Sequence, residues 1–200
     1  MELAKASEIA IGIWNKMKDL CEKNHCKVAG SIRREKPEVK DIEIVALPLV
    51  VDTKDLFDNV IGKVRSKDWV ELVYSLGKSE VGNPNGKYTK IQLRDHDIKL
   101  DLFMPTAEDF WRIFVIRTGS AEWVKNYIAG GWSRNGWCGT KDGGLMMKSQ
   151  CKSFATAGGG TMWVPNVPES QKMKPPIWKS EREFFEWLKL PYVEPKNRNV

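Results

Sequence analysis

The sequence predicts an α+β fold: a mixed β-sheet with flanking helices, followed by a smaller C-terminal α+β unit. Three observations carry this. The chain opens on a long amphipathic stretch, short apolar strand candidates cluster before residue 105, and beyond Pro105 helical signatures alternate with short strands. At 200 residues with 42% hydrophobic content, the chain can bury a core in one domain or two small ones, which excludes a disordered polymer.

The elements follow in order. Leu3, Ala6, Ile9, Ala10, Ile13, Met17, Leu20 and Cys21 recur at three and four residues, predicting a helix over 2–23. "CKVAG" reads as a short strand stopping at Gly30, and "DIEIVALPLV" as a strand entering a core. Leu56, Val60, Ile61 and Val64 predict a helix over 52–67. "WVELVYSLG", "KYTKIQLRD" and "IKLDLFMP" follow as strands, the first two joined by the turn-rich "KSEVGNPNG". "TAEDFWRIFVIRT" and "SAEWVKNYIAGG" predict helices, the second with a glycine stop. Strands over 144–148 and 161–165 and a last helix in "SEREFFEWLKL" complete the chain, with "PNVPESQKMKPPIW" an irregular loop.

No apolar run approaches the roughly 18 residues of a membrane span, and "MELAKASEIAIG" lacks a signal-peptide layout. The expectation is an intracellular protein, cytoplasmic or associated with a virion or nucleoid, with no membrane partner and acting as a monomer. Cys21, Cys26, Cys138 and Cys151 do not fall into a metal-binding spacing, so reduced thiols are expected. A net charge of +6 favours polyanionic partners.

The chemistry concentrates in "GSIRREKPEVKDIEIVALP". On a strand, Asp41 and Glu43 share one face while Ile42 and Ile44 share the other. Side-by-side carboxylates repel unless a cation lies between them, and hard divalent cations prefer such oxygens. Asp101, in "IKLDLF", repeats the acid-between-apolars pattern and could join them from a neighbouring strand. Gly30 and Ser31 stand at a strand-to-helix turn suited to phosphate oxygens, with Arg33 and Arg34 beside it to neutralise a phosphate chain.

This constellation resembles the nucleotidyltransferase superfamily. "GSIRRE" with "DIEI", then "KLDLF", "RTGSAEW" and "LPYVEPKNR", resemble in order and spacing the catalytic part of family X DNA polymerases, over about Val28 to Arg198. The resemblance implies an N-terminal helix and catalytic palm over 1–105 and a thumb/fingers-type nucleotide- and DNA-binding domain over 106–200. It implies that Asp41, Glu43 and Asp101 are the catalytic acids and hold two Mg²⁺ ions, with Mn²⁺ a substitute, and that Gly30, Ser31 and Arg34 hold the triphosphate. Thr118, Gly119 and Ser120 match the turn beneath the nucleotide sugar, where a cis peptide follows the glycine; Lys99 and Lys125 match DNA-contacting residues.

The chain departs from the family at Glu43, where Asp is usual, at Ile116-Arg117, where an aromatic pair is common, and at Val124 and Ile128. Only about 25 residues precede the palm, as in the small viral members that lack the lyase domain. Grip on DNA is then expected from aromatic and basic surface, with Trp132, Trp137, Trp163 and Trp178 near Lys141, Lys148, Lys152, Lys172, Lys174 and Lys179. The implied activity is distributive, short-gap, repair-type DNA synthesis from dNTPs. A template-independent or non-DNA-acceptor nucleotidyltransferase, and an inactive nucleic-acid-binding module, stay open.

Overall fold

The computed structural model describes residues 1–56, 59–140 and 144–199. Its first helix, α1 (Leu3–Met17), buries Ala6, Ile9, Ala10, Ile13 and Met17, the stripe that the spacing predicts. It stops at Met17 and not near residue 23. A 3₁₀ turn over Lys18–Leu20 leads into β1 (Cys21–Val28), whose Cys21 and Cys26 are drawn into the core. Asn24, at φ 65, lies within the bulge between those cysteines, a left-handed conformation that Asn tolerates better than most residues.

One helical turn, α2 (Gly30–Arg33), links β1 to β2 (Asp41–Pro48). The helix expected over 52–67 is instead a hairpin of β3 (Val50–Lys54) and β4 (Val60–Arg65). Helical spacing predicted a buried stripe, yet no core receives it: Leu56 is 100% and Ile61 68% exposed. With nothing to bury against, β-branched preference prevails, and Val51 pairs across to Val64.

The opposite correction applies to "WVELVYSL", which forms α3 (Lys67–Leu76) and not a strand. Ser66 caps it by accepting the Trp69 backbone N–H at 3.3 Å, and Trp69 and Val73, four apart, are both buried. The supposed turn region begins as β5 (Gly77–Gly82), which pairs with β6 (Tyr88–Leu93). Glycine is needed at Gly82, where φ is +70 and a Cβ would fall 2.1 Å from the Tyr88 carbonyl.

With β7 (Lys99–Phe103), these strands form a five-stranded sheet of order β1-β2-β7-β6-β5. It is mixed: β2 and β7 run parallel, the other neighbours antiparallel. α1 and α3 cover one face, packing on Ile42, Ile44, Leu100 and Leu102. α4 (Phe110–Thr118) crosses the other, setting Phe110 and Phe114 on Val45 and Phe103.

Beyond α4, α5 (Ala121–Trp123), a π-helical turn (Val124–Ala129) and α6 (Gly130–Arg134) run on through the glycines expected to stop them. Gly131 lies against Leu190, where a Cβ would come within 2.8 Å of its Cδ1, so it serves packing and not termination. Two small hairpins follow: β8 (Trp137–Gly139) with β9 (Leu145–Met147), and β10 (Cys151–Ala155) with β11 (Thr161–Pro165). β8 and β10 have no counterpart in the sequence reading. α7 (Glu181–Trp187) starts at Ser180, whose hydroxyl accepts the Glu183 N–H at 3.2 Å. A second core of Val115, Trp123, Trp137, Trp178, Phe184 and Phe185 forms here. The four cysteines are unpaired, and no helix among the described residues is long and apolar enough to cross a membrane.

Candidate active site

Because β2 and β7 are parallel neighbours, their residues stand side by side: Asp41 beside Lys99, Glu43 beside Asp101, Val45 beside Phe103. The two-residue period sends Ile42 and Ile44 into the core and turns the acids to the face crossed by α4. The sheet thus brings the three predicted carboxylates onto one face. Glu43 and Asp101 front a cleft of ≈1160 Å³ between the sheet and the C-terminal segments, which they line with Tyr88 and Arg117 on one side and Lys172 and Lys174 line on another.

Glu43 has the most perturbed carboxyl here. Burial, then Asp41, pushes it up to about 7; Asp101 adds to the effect, while Arg117 and Arg34 oppose it. Gly30 closes directly on it: its φ is +63, and a Cβ there would fall 1.9 Å from Glu43 Oε2. Next to that turn the Ser31 hydroxyl is buried with no hydrogen-bond partner among the described residues. An unpartnered buried hydroxyl costs about 1–3 kcal/mol, and a phosphate oxygen would satisfy it.

Asp101 is held by groups the sequence reading missed. Its Oδ1 accepts from Tyr88 Oη at 2.8 Å and lies 3.5 Å from Lys90 Nζ. Both come from β6, where Lys90 pairs with Asp101 and Tyr88 with Phe103. Burial, reinforced by the bond to Asp101, pushes the Tyr88 phenol far up, so it stays a donor at neutral pH. The alternation in "KYTKIQL" carried the signal, but only the register reveals which residue faces Asp101. Arg117, known from the sequence only as a departure, sets its guanidinium 4.0 Å over the Phe103 ring beside the acids.

The two adjacent arginines part company. Arg34 Nη1 donates to the Thr118 carbonyl at 2.6 Å and its Nε to Asn199 Oδ1 at 3.0 Å, leaving it near Asp41 and Glu43. Arg33 turns away, into a bidentate pair with Glu181 at 2.6 and 2.8 Å, so it does not serve a phosphate chain here. Thr118 is buried, its hydroxyl donating to Phe114 O at 2.7 Å and accepting from Arg33. Ser120 caps α5 through Trp123 N–H at 3.2 Å, and its own N–H meets Arg198 O at 2.9 Å.

No cis peptide bond occurs among the described residues, which corrects the expectation after Gly119. Space dictates that glycine: a Cβ would lie 2.4 Å from Trp123 Cε3. Lys99 pairs with Glu80 at 2.8 Å at the sheet rim, and Lys125 is exposed on the π-turn. The expected tryptophan surface is largely core, since Trp137 and Trp178 are buried and pack edge-on against Trp187. Trp132 and Trp163 are partly exposed; Lys141 lies outside the described residues.

The donor set fits hard divalent cations: carboxylate oxygens on one face, one of them crowded enough by its neighbours to resist ionising. Among the described residues, no three such side chains are gathered into a preformed cage. Comparison of the chain with protein-family models and with curated proteins finds no match.

Proposed function

We propose that the chain is a Mg²⁺-dependent nucleotidyltransferase that adds deoxynucleotides to a DNA 3′-hydroxyl, in the manner of family X DNA polymerases filling short gaps. One observation carries the reading: Asp41, Glu43 and Asp101 share a face of two adjacent parallel strands, beside a Gly30-Ser31 turn closed on Glu43. The three carboxylates are the groups that would hold the ions. When bound, magnesium would supply the charge that acidifies the 3′-hydroxyl and neutralises the leaving pyrophosphate.

The chain's own residues do the rest. The unpartnered Ser31 hydroxyl binds a phosphate oxygen, and Arg34 and Arg117 add positive charge next to it. Tyr88 and Lys90 both engage Oδ1 of Asp101, which fixes the carboxylate and leaves Oδ2 to accept the proton of the attacking hydroxyl. Lys174, across the cleft, suits a phosphate of a DNA strand, whereas Lys172 beside it is paired with Glu169 at 2.5 Å.

The test is extension of a labelled primer on gapped, nicked and single-stranded DNA with each dNTP and NTP. Asp101→Asn is expected to retain its circular-dichroism spectrum and lose at least about 10³-fold in rate. Undiminished incorporation by that variant overturns the assignment. Absence of addition to any DNA end, with triphosphate turnover still dependent on Asp101, would move the acceptor away from DNA.

A further inference from the structure

α4 divides the open face of the sheet. The acids lie on its β7 side; on its β1 side is a second, smaller cleft of ≈370 Å³. Lys27, which pairs with Val45 across β1 and β2, projects from the same sheet face as the acids but emerges on the opposite flank of the helix. Trp14, Trp111 and Phe114 supply aromatic walls, and Arg33 and Glu181 close the inner end.

The charges in this cleft do not balance. Glu181 is its one carboxylate, and both oxygens are already committed, to Arg33 at 2.6 and 2.8 Å and to Arg198 at 2.8 Å. Lys27 Nζ lies 5.4 Å from the Trp111 ring centroid and 5.9 Å from that of Phe114, with no hydrogen bond or ion pair among the described residues. Burial, and then the Arg33 charge, hold its amine below the usual lysine range, outweighing the opposing pull of Glu181, whose oxygens are bonded to the two arginines. Trp14 is fixed by donating its indole N–H to the Cys26 carbonyl at 2.7 Å. The Arg33 guanidinium covers the Phe114 ring at 4.1 Å, so the partly exposed Trp14 and Trp111 are the walls left to a base, and Lys27 is the cation without an ion pair among the described residues.

We infer that this cleft is a second nucleotide-binding subsite, separate from the acid-lined one, which takes a single phosphate-bearing nucleotide unit with its base on Trp111 and its phosphate on Lys27. An aromatic face accepts any base, and an uncompensated ammonium beside it selects those that carry an anion. The volume suits one nucleotide and not a base-paired step. Two sources share this chemistry, a free mononucleotide and a unit of single-stranded DNA. The subsite needs no divalent cation, so it stands or falls independently of the proposed transfer activity.

The experiment uses the full chain at low salt in EDTA, which silences cation-dependent binding at the acids. dTMP, thymidine, and a dT tetramer with and without a 5′-phosphate are titrated against wild type, Lys27→Met and Lys27→Arg. Lys27→Met is expected to weaken binding of phosphate-bearing probes at least about tenfold, and Lys27→Arg to restore it to within about threefold. Photocrosslinking wild type with 5-iodo-dUMP should give an adduct mapping to Trp14 or Trp111. Binding of dTMP assigns the site to mononucleotides; binding of the unphosphorylated tetramer alone assigns it to the interior of a single strand. Equal binding of thymidine and dTMP, unchanged binding by Lys27→Met, or an adduct confined to Tyr88 or Phe103 overturns the inference, the last without depending on any variant.

Discussion

Glu43 and Gly30 act as one unit at the residue scale. The turn approaches the acid so closely that no side chain fits between them, and the left-handed φ of Gly30 adds a second reason for glycine. Gly30→Ala must therefore displace either the turn or the carboxylate. The expected outcome is a loss of about 1–3 kcal/mol in denaturant unfolding and at least about tenfold in transfer rate. An unaffected rate would show that Glu43 and the turn are not coupled. Arg117 makes a different kind of contribution: exposed itself, it lies over the Phe103 ring at the edge of the core and adds cationic charge beside the acids. Arg117→Gln should leave stability within about 0.5 kcal/mol, because it is a surface change. It should raise KM for the nucleotide about tenfold with a smaller effect on kcat, as loss of a charge-assisted phosphate contact does. An unchanged KM would place Arg117 outside the nucleotide site.

The β3–β4 hairpin is the clearest case at the scale of elements, since its strands bury little of their apolar surface. Its base is anchored by Leu49 N–H to Leu20 O at 2.9 Å and Ser66 N–H to Leu49 O at 3.2 Å, both outside the strands. Replacing residues 51–64 with Asn-Gly, so that Val50 still pairs with Arg65, should preserve the fold and shift Tm by no more than about 4 °C. A collapse of Tm would mean that the hairpin supports the sheet. The same segment shows where sequence reading failed. Leu56, Val60, Ile61 and Val64 carry helical spacing, but spacing reports a buried stripe only when a core exists to receive it. In "WVELVYSL" the error ran the other way, because the β-formers Trp69, Val70 and Val73 outweighed the Ser66 cap. Where burial and local preference agree, as in β2, β6 and β7, strand identity and the shared face of Asp41, Glu43 and Asp101 were readable. Tyr88 and Lys90 were not, since a partner across a sheet depends on register, and β10 exposes four of its five residues, so no buried face marks it in the sequence.

Across the whole molecule, one buried carboxylate ties the sheet to the C-terminal segments. Glu181, on α7, is held by Arg33 from the turn after β1 and by Arg198 from the C-terminal tail, and Arg33 also reaches Thr118 at the end of α4 at 2.9 Å. Arg34 adds a parallel tie from the same turn to Asn199. Burial would raise the Glu181 carboxyl, but the Arg33 hydrogen bonds and the Arg198 charge outweigh it and hold the group below the ordinary carboxylate range. Glu181→Gln leaves two guanidiniums facing a neutral amide, one of them on the fully buried Arg198. Breaking a buried ion pair on one side costs about 3–5 kcal/mol, so the variant should be destabilised by about that amount at pH 7. The sign of the pH dependence follows from linkage. A carboxyl whose pKa is depressed on folding adds stability that is complete above its unfolded value, ~4.5, and disappears as pH falls through its folded value. In denaturant titrations, the gap between wild type and Glu181→Gln should stay constant from pH 8 down to about 5 and narrow steadily below that. A gap that ignores pH would mean that Glu181 contributes through packing and not through its charge. Since Arg33 and Arg34 leave the same turn that carries Gly30 and Ser31, loosening the tie should also lower transfer rate in proportion to the shift of that turn. Double substitution with Arg33→Met should then cost less than the sum of the two single changes, because both remove parts of one ion pair.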